Sequence, residues 1–489
     1  MTNVNQSAAW ARTLSRDAST GIDAVYFNPA GVGKLKKGFH LSLSNQSIFQ
    51  TRQVTSDYTY LNDTPNTYEA ELTAPLFPSV YAAYKLEKLA ISAGFNIIGG
   101  GGSANYKTGL PSFEVPASSV VPLIQGAVSP IDPSLAAISY SMNASFEGSS
   151  KYMGFQLGAT YAINDIISVA LGARYVSAKN TYDGSLTDYM INPPTDLNPA
   201  FAAVIGADPM RPGAYMNAVS QIYYAGTGDS TGMLQLQGAG AQMDARTADQ
   251  TLSTVQTGWG ITPIVGVNIS LLDMVNIGIK YEHHTKIEMT NETTSDVYDA
   301  NLQGMYPDGA KSRADLPGMF ALGVHVKPIK KLTASVGFNY FLDKTAYYGK
   351  IAYESDGSKS VEEDGISYKQ VNNENYIDDN AYTISGSVEY RFLGIMGASV
   401  GFVTGNLGVN NTYQSDLSYA LKSTSIGGGI FVELGEIITL NAGYVYSMYD
   451  DYTNSELSYQ PTGFPQAVPY NDTYGKKTSL FAIGIDISL

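Results

Sequence analysis

The last twelve residues, TSLFAIGIDISL, put Phe481, Ile483, Ile485, Ile487 and Leu489 on one face and Leu480, Ala482, Gly484, Asp486 and Ser488 on the other. A period of two is that of a β-strand. The pattern recurs. IISVALGARY sets Ile167, Val169, Leu171, Ala173 and Tyr175 against Ser168, Gly172 and Arg174, and VNIGIKYE sets Val275, Ile277, Ile279 and Tyr281 against Asn276, Gly278, Lys280 and Glu282. Small and charged residues share one face, so that face is not a packed core. About 14 such segments begin near Phe39, Val80, Leu89, Tyr152, Ile166, Trp259, Met274, Met319, Leu332, Tyr382, Ile395, Ser425, Ile437 and Lys477, each near the ~9–11 residues with which a tilted strand crosses a bilayer.

The connections alternate in length. Tight turns are predicted at Leu86–Lys88, Ile163–Asp165, Leu271–Asp273, Lys327–Lys331, Leu393–Ile395 and Leu434–Glu436, and long polar loops at 50–79, 99–151, 183–256, 290–316, 345–380, 407–423 and 450–476. An up-and-down antiparallel transmembrane barrel, with short periplasmic turns, long external loops and both termini in the periplasm, requires this one-sidedness. A soluble β protein such as a propeller does not. Closure removes strand edges that lipid cannot satisfy. Pro263, inside GWGITPIVGVNI, implies that its strand starts near Ile264 or that the wall is bulged there.

Composition narrows the choice. Gly (49) and Tyr (36) stay high along all 489 residues, so no domain boundary shows. No apolar run reaches the roughly 18 residues of a membrane helix, and the mean hydropathy of -0.09 does not reveal strands that alternate. Cys is 0, compatible with a periplasmic route without disulfides, and the net charge of -15 disfavours nucleic acid. Met1 is followed by the polar TNVNQS, so an exported chain would have lost its signal peptide already. Neither the zinc spacing nor the nucleophile elbow of a hydrolase occurs around His40, His283, His284 and His325, so no metal, cofactor or enzymatic activity is expected. GGGGS, Gly99–Ser103, is a flexible loop base or a place where a strand fails to pair.

About 38 residues precede the first strand, and they contain SRDASTGIDAVYFNPAGVGKL. Pro29 drives Asn28 toward extended backbone and Gly31 and Gly33 permit a reversal, which makes a compact element. With Asp17, Ala18, Ser19 and the Phe27-Asn28-Pro29-Ala30-Gly31 run, the stretch resembles the hatch of the FadL-type long-chain fatty acid transporter family of Gram-negative outer membranes, which includes channels for toluene and other hydrocarbons. GFQLGATYAINDIISVALGARYVS and LPGMFALGVHVKPIKKLTASVGFNYF are similar to its strands and turns. The resemblance implies an all-β fold: a barrel of about 14 strands (39–489) with a plug (1–38) in its lumen, the hatch motif being Asn28, Pro29, Ala30 and Gly31. It implies passive uptake of hydrophobic molecules, long-chain fatty acids first and aromatic hydrocarbons next, by a monomer embedded in outer-membrane lipid. The ligand-binding extreme N-terminus of the family has no clear counterpart in this sequence, with Trp10 the candidate, and the loops 183–256 and 290–316 correspond to its capture site. Leu489 departs from the terminal aromatic common in such barrels.

In the first of those loops Phe201, Val204, Ile205, Met216, Ile222 and Tyr223 fall at helical spacing. Their apolar faces either pack on one another as a lid or form a groove for a greasy ligand. A fatty acid's carboxylate needs a partner. Arg174, Lys280 and Arg391 face inward, but so do Glu282, Glu389, Glu433 and Asp486, so internal ion pairs are the competing reading. In ISAGFNIIGGGG, Gly94 and Asn96 are poor strand formers, and the family's third-strand kink places a lateral portal at Gly94, Phe95 and Asn96. Gly94 alternatively makes room for the hatch, and Pro263 is the second portal candidate. A barrel serving lipid modification or surface assembly, as enzyme or scaffold, is the rival function.

Overall fold

The computed structural model describes residues 3–271, 274–297, 305–347, 351–352, 361–363, 366–370, 376–461 and 464–489. Wall strands run Gly38–Ser56, Asn66–Lys85, Leu89–Tyr106, Ser139–Ala162, Ile167–Asn192, Gln250–Leu271, Val275–Glu282, Gly318–Ile329, Leu332–Leu342, Tyr382–Arg391, Met396–Asn406, Ser423–Leu434, Ile438–Tyr449 and Val468–Ser488; we number them β1 to β14. Each is antiparallel to the next, and β1 pairs with β14 from His40↔Ser488 to Ser56↔Asp472, which closes the barrel.

Burial is inverted relative to a water-soluble protein. Leu157, Leu171, Ile261 and Ile483 are exposed, whereas Ser42, Gln46, Gln156, Ser168 and Asn268 are buried. Alternation therefore sorts apolar side chains outward and polar ones into the lumen, as a lipid-facing wall requires. Near the upper edge of the apolar band, Phe95, Phe155, Tyr175 and Trp259 of β3 to β6 form a run of neighbouring rings, with centroids 5.0, 6.5 and 6.1 Å apart.

The strand count and most lower strand ends match the expectation, but several predicted loops are strand. β1 to β6 have 18 to 26 residues, against 10 to 12 in β8 to β13. Residues 50–56 and 66–79 and the flanks of 99–151 and 183–256 continue the wall, because Ser/Thr-rich strands above the apolar band still pair. Residues 272–273, 298–304, 348–350, 353–360, 364–365 and 371–375 lie outside the described residues.

β6 runs through Pro263 in unbroken register with β5 (Ala173↔Pro263), so neither expectation for Pro263 holds. The interruption is in the next strand: β6 meets β7 from Ile264↔Glu282 downward and the segment Glu288–Ser295 from Trp259↔Glu288 upward. The missing N–H at Pro263 thus sits beside an existing break, where its carbonyl accepts from His283 N at 2.9 Å.

Inside the wall lie helix α1 (Ala8–Thr13), helix α2 (Ala24–Phe27) and a 3₁₀ turn, Pro29–Lys34. Outside lie α3 (Pro111–Ser118), α4 (Val120–Val128), α5 (Pro199–Ile205), α6 (Pro212–Thr227) and α7 (Ser230–Arg246). α5 and α6 follow the predicted helical spacing, and α7 lies in the same loop where no helix is predicted. α3 and α4, rich in Val and Pro, carried no such signal.

Candidate functional site

The N-terminal segment is held by its own sequence and by the wall. Ser7 caps α1, its hydroxyl accepting from Trp10 N at 2.9 Å, as short-side-chain caps do. Asp23 accepts from Arg16 Nε (2.8 Å), Ser19 Oγ (2.6 Å) and Ser7 Oγ (3.1 Å), tying three parts of the segment together. Arg12 donates to Asn441 Oδ1 at 2.9 Å and pairs with Glu389.

The Asn-Pro-Ala-Gly run makes one contact per residue. Asn28 Nδ2 donates to Ser19 O (3.0 Å) and to Asn268 Oδ1 of β6 (2.7 Å). The carbonyl of Pro29 accepts from Thr160 Oγ1 of β4 (2.8 Å), and that of Ala30 from Ser168 Oγ of β5 (2.7 Å). A β-carbon on Gly31 would overlap the carbonyl oxygen of Ser19. Asn28, with φ −145° and ψ 75°, is kept out of the helical region before Pro29, though its ψ falls short of a fully extended residue. Gly31 and Gly33, however, are absent from the positive-φ glycines. They serve close approach rather than chain reversal: a β-carbon on Gly33 would lie 3.0 Å from Ser168 Cβ.

The wall provides the matching surface. Side chains on Gly278, Gly323, Gly401 and Gly443, of four strands, would each strike backbone of the segment, at Asp17, Ala18, Thr13 and Arg12 respectively. Glycine at lumen-facing positions is what lets a backbone dock there. The sequence signal was present, since these glycines alternate with lipid-facing residues, but it was read only as small residues on a polar face.

Arg174 and Lys280 share Glu282. Arg174 reaches it through both terminal nitrogens, at 2.7 and 3.0 Å, and Lys280 at 2.8 Å, all three residues being no more than 4% exposed. Lys280 also donates to Tyr26 O at 2.9 Å, and the Tyr26 ring stands 5.0 Å from the Arg174 guanidinium and 4.5 Å from the Lys280 amine. Arg391 pairs with Glu433. The three cations expected to meet a ligand carboxylate are thus each engaged by a carboxylate of the chain. Trp10 is buried and lines a cavity with Val4, Leu14, Tyr26, Met319 and Asp17; with about 10 Å³ free, it has room for roughly one water.

The wall is broken between β2 and β3. Their ladder runs Lys85↔Ala90 to Val80↔Phe95, stops, and resumes at Leu72↔Ala104. Residues 73–79 and 96–103 do not pair with each other. Pro75 and Pro78 on one side have no N–H to give, and the run Gly99–Gly102 on the other is twice shifted against β4. Phe77 folds into the break against Gly101, and Leu72 against Gly102. Carbonyls of β3 left without β2 are met by the N-terminal segment: Asn3 N donates to Ile98 O (2.7 Å), Asn3 Nδ2 to Gly100 O (2.8 Å) and Gln6 Nε2 to Ile97 O (2.8 Å). Asn5 Nδ2 reaches Gln46 Oε1 of β1 at 2.8 Å. Gly94 and Phe95 lie just below the break and are paired with Tyr81 and Val80; Asn96 is its first residue. A β-carbon on Gly94 would stand 3.1 Å from Tyr81 and 3.4 Å from Val25, so this glycine also makes room for the N-terminal segment. The paired prolines of β2 were the missed signal, since 50–79 was read as loop.

At the outer mouth α3 is latched by Glu114, which accepts from Tyr140 OH (2.5 Å) and from Tyr68 OH, and by Asp416, which accepts from Ser112 N at 2.6 Å. Ile205 and Met216 are buried in a shared apolar cluster with Val120, Ile124 and Tyr215, and Phe201 and Ile222 pack at its edge. Val204 is exposed. Tyr223 donates to Asp229 Oδ2 at 2.9 Å between α6 and α7. The helices therefore cover one another as a lid.

No family model and no curated protein matches the sequence. Solved structures share the fold. A FadL homologue of Pseudomonas aeruginosa is 11% identical, with 100% of this chain and 98% of that one covered at TM-score 0.61. A mutant of the TodX monoaromatic hydrocarbon channel is 11% identical, with 99% and 98% covered at 0.55. The Pseudomonas putida toluene transporter TodX is 12% identical, with 98% and 97% covered at 0.50. The chain is a closed, fourteen-stranded transmembrane-type β-barrel, and its N-terminal segment docks against the inner side of the wall. Its fold is of the FadL type.

Proposed function

We propose that the protein is a passive channel of the Gram-negative outer membrane for hydrophobic molecules, in which residues 1–38 act as a hatch and the break between β2 and β3 is a lateral exit. The observation that carries the reading is that break, lined by Phe77, Leu72, Ile97 and Ile98 and stoppered by Asn3 and Gln6. A greasy molecule passing sideways into lipid keeps its chain out of water, a saving of about 0.8 kcal/mol per CH₂. The portal we propose starts at Asn96, directly above Gly94 and Phe95, and extends through the Gly99–Gly102 run. The lid of α3 to α7 is the proposed capture surface, with Val204 and Phe201 at its accessible edge.

Among the structural neighbours, TodX is named as a monoaromatic hydrocarbon channel and toluene transporter, and another is a FadL homologue. Because Arg174, Lys280 and Arg391 are engaged, a fatty acid would keep its carboxyl at the polar mouth or pass protonated, whereas an aromatic hydrocarbon meets no such cost. The test uses liposomes containing the full chain, labelled oleate and labelled toluene, and the variant Ser79→Cys with Asn96→Cys, which pins the lower corner of the break. Saturable binding of either ligand, with transfer into lipid blocked by oxidation and restored by reduction, is the expected result. Transfer at the unmodified rate by the oxidised variant would overturn the lateral exit, and no saturable binding would overturn the uptake reading.

A further inference from the structure

On the outward face of β4 and β5, above the ring girdle, like charges face like. Lys151 is the direct cross-strand partner of Lys179, Ser149 of Thr181, and Glu147 of Asp183. Both lysines are exposed, and each lies four residues outward of a girdle ring, Phe155 and Tyr175. Neither has an ion-pair partner among the described residues. Directly opposed like charges destabilise a sheet, and the acidic rung does not relieve the lysines. It lies four residues further out, about 13 Å along the strands. Its carboxylates are turned to neighbours, Glu147 accepting from Ser103 Oγ (2.6 Å) and Asp183 from Ser253 Oγ (2.8 Å).

A second, independent feature sits at the upper rung. Glu147 and Asp183, with Asn105, Ser145 and Ser185, line an open groove of about 280 Å³ over Phe146 and Leu252. Carboxylates, an amide and hydroxyls are the groups that bind sugar hydroxyls. The lower rung supplies two exposed ammonium groups four residues beyond the aromatic rings, and basic side chains near a membrane surface attract anionic headgroups.

We infer that this outer wall of β3 to β6 is a docking surface for a phosphorylated glycolipid of the outer leaflet, with phosphate on Lys151 and Lys179 and the attached saccharide in the groove at Glu147 and Asp183. The unrelieved lysine pair is then completed by the ligand. The surface lies beside the β2–β3 break, since Lys151 pairs with Gly100.

The experiment places the full chain in phosphatidylcholine nanodiscs with a bis-phosphorylated acylated glucosamine disaccharide carrying core sugars, and counts retained lipid by native mass spectrometry. Lys151→Gln with Lys179→Gln is expected to lower retention about tenfold or more, and enzymatic removal of the lipid phosphates to lower wild-type retention to the same level. Glu147→Gln with Asp183→Asn is expected to weaken only lipid that carries the sugars. Without the glycolipid, the lysine variant is expected to unfold at a higher temperature than wild type, because repulsion is removed. Unchanged retention by the lysine variant, displacement of the lipid by millimolar inorganic phosphate, or a lowered melting temperature in its absence would each overturn the assignment.

Discussion

Gly31 and Ser19 lie so close that any β-carbon at position 31 would overlap the carbonyl oxygen of residue 19. That carbonyl also accepts from Asn28, so the contact fixes the turn that docks on β4, β5 and β6. Gly31→Ala forces a backbone shift, a strain of about 1–3 kcal/mol, and the strain falls on the N-terminal segment rather than the wall. Higher single-channel conductance in planar bilayers, with unaltered heat-modifiable gel mobility, is the expected outcome.

Glu282 holds two buried cations. Glu282→Gln leaves Arg174 and Lys280 with neutral partners only, Gln156 and the Tyr26 carbonyl among them, and breaking such a pair costs about 3–5 kcal/mol. Lys280→Met should be milder, because the two-pronged Arg174–Glu282 contact survives. Guanidinium unfolding midpoints should fall in that order, with Glu282→Gln lowest.

Phe77 fills the break in the wall. Phe77→Ala removes the ring that stands against Gly101 and leaves the closing contacts of Asn3 and Gln6 in place. Transfer of a hydrophobic fluorophore into surrounding lipid should speed up several-fold, while leakage of small sugars in a liposome-swelling assay stays at the wild-type level.

Asp416 is buried in the outer loops, and burial raises its carboxyl above the ordinary range. The folded lid therefore binds this proton more tightly than the unfolded chain does. The stability it contributes is full below the unfolded value, near pH 3.9, and is lost as pH rises through the folded pKa. Amide exchange in Pro111–Ser118, corrected for intrinsic rates, should accelerate over that rise, and Asp416→Asn should flatten the dependence.

Alternation alone revealed the wall, because lipid on one side and polar lumen on the other impose a strict period of two on residues such as Ile483 and Gly484. The same rule failed above the apolar band. There the polarity reverses, with Ser141, Asn143 and Ser145 of β4 exposed and Tyr140, Ala144 and Phe146 buried, so apolar-out alternation no longer marks the strand while pairing continues. The break at Pro75 and Pro78 was hidden for that reason. The choice between ligand contact and ion pair for Arg174 was not legible either, since Glu282 is 108 residues away in sequence and meets it only through closure and register. The Asn28–Gly31 run was legible as a compact element. Its one-contact-per-residue fit needed the partners Asn268, Thr160 and Ser168.

The pairing of β1 with β14 sets the order in which the molecule is completed. The N-terminal segment is synthesised first, yet its docking glycines and hydrogen-bond partners come from strands as late as Gly443 in β13. Its seat exists only once the sheet has curled round and His40 has met Ser488. Contacts so distant in sequence form slowly. The segment's apolar residues, Trp10, Val25 and Phe27 among them, therefore stay without their final partners until the ring shuts around them, which makes the last seam also the moment of enclosure.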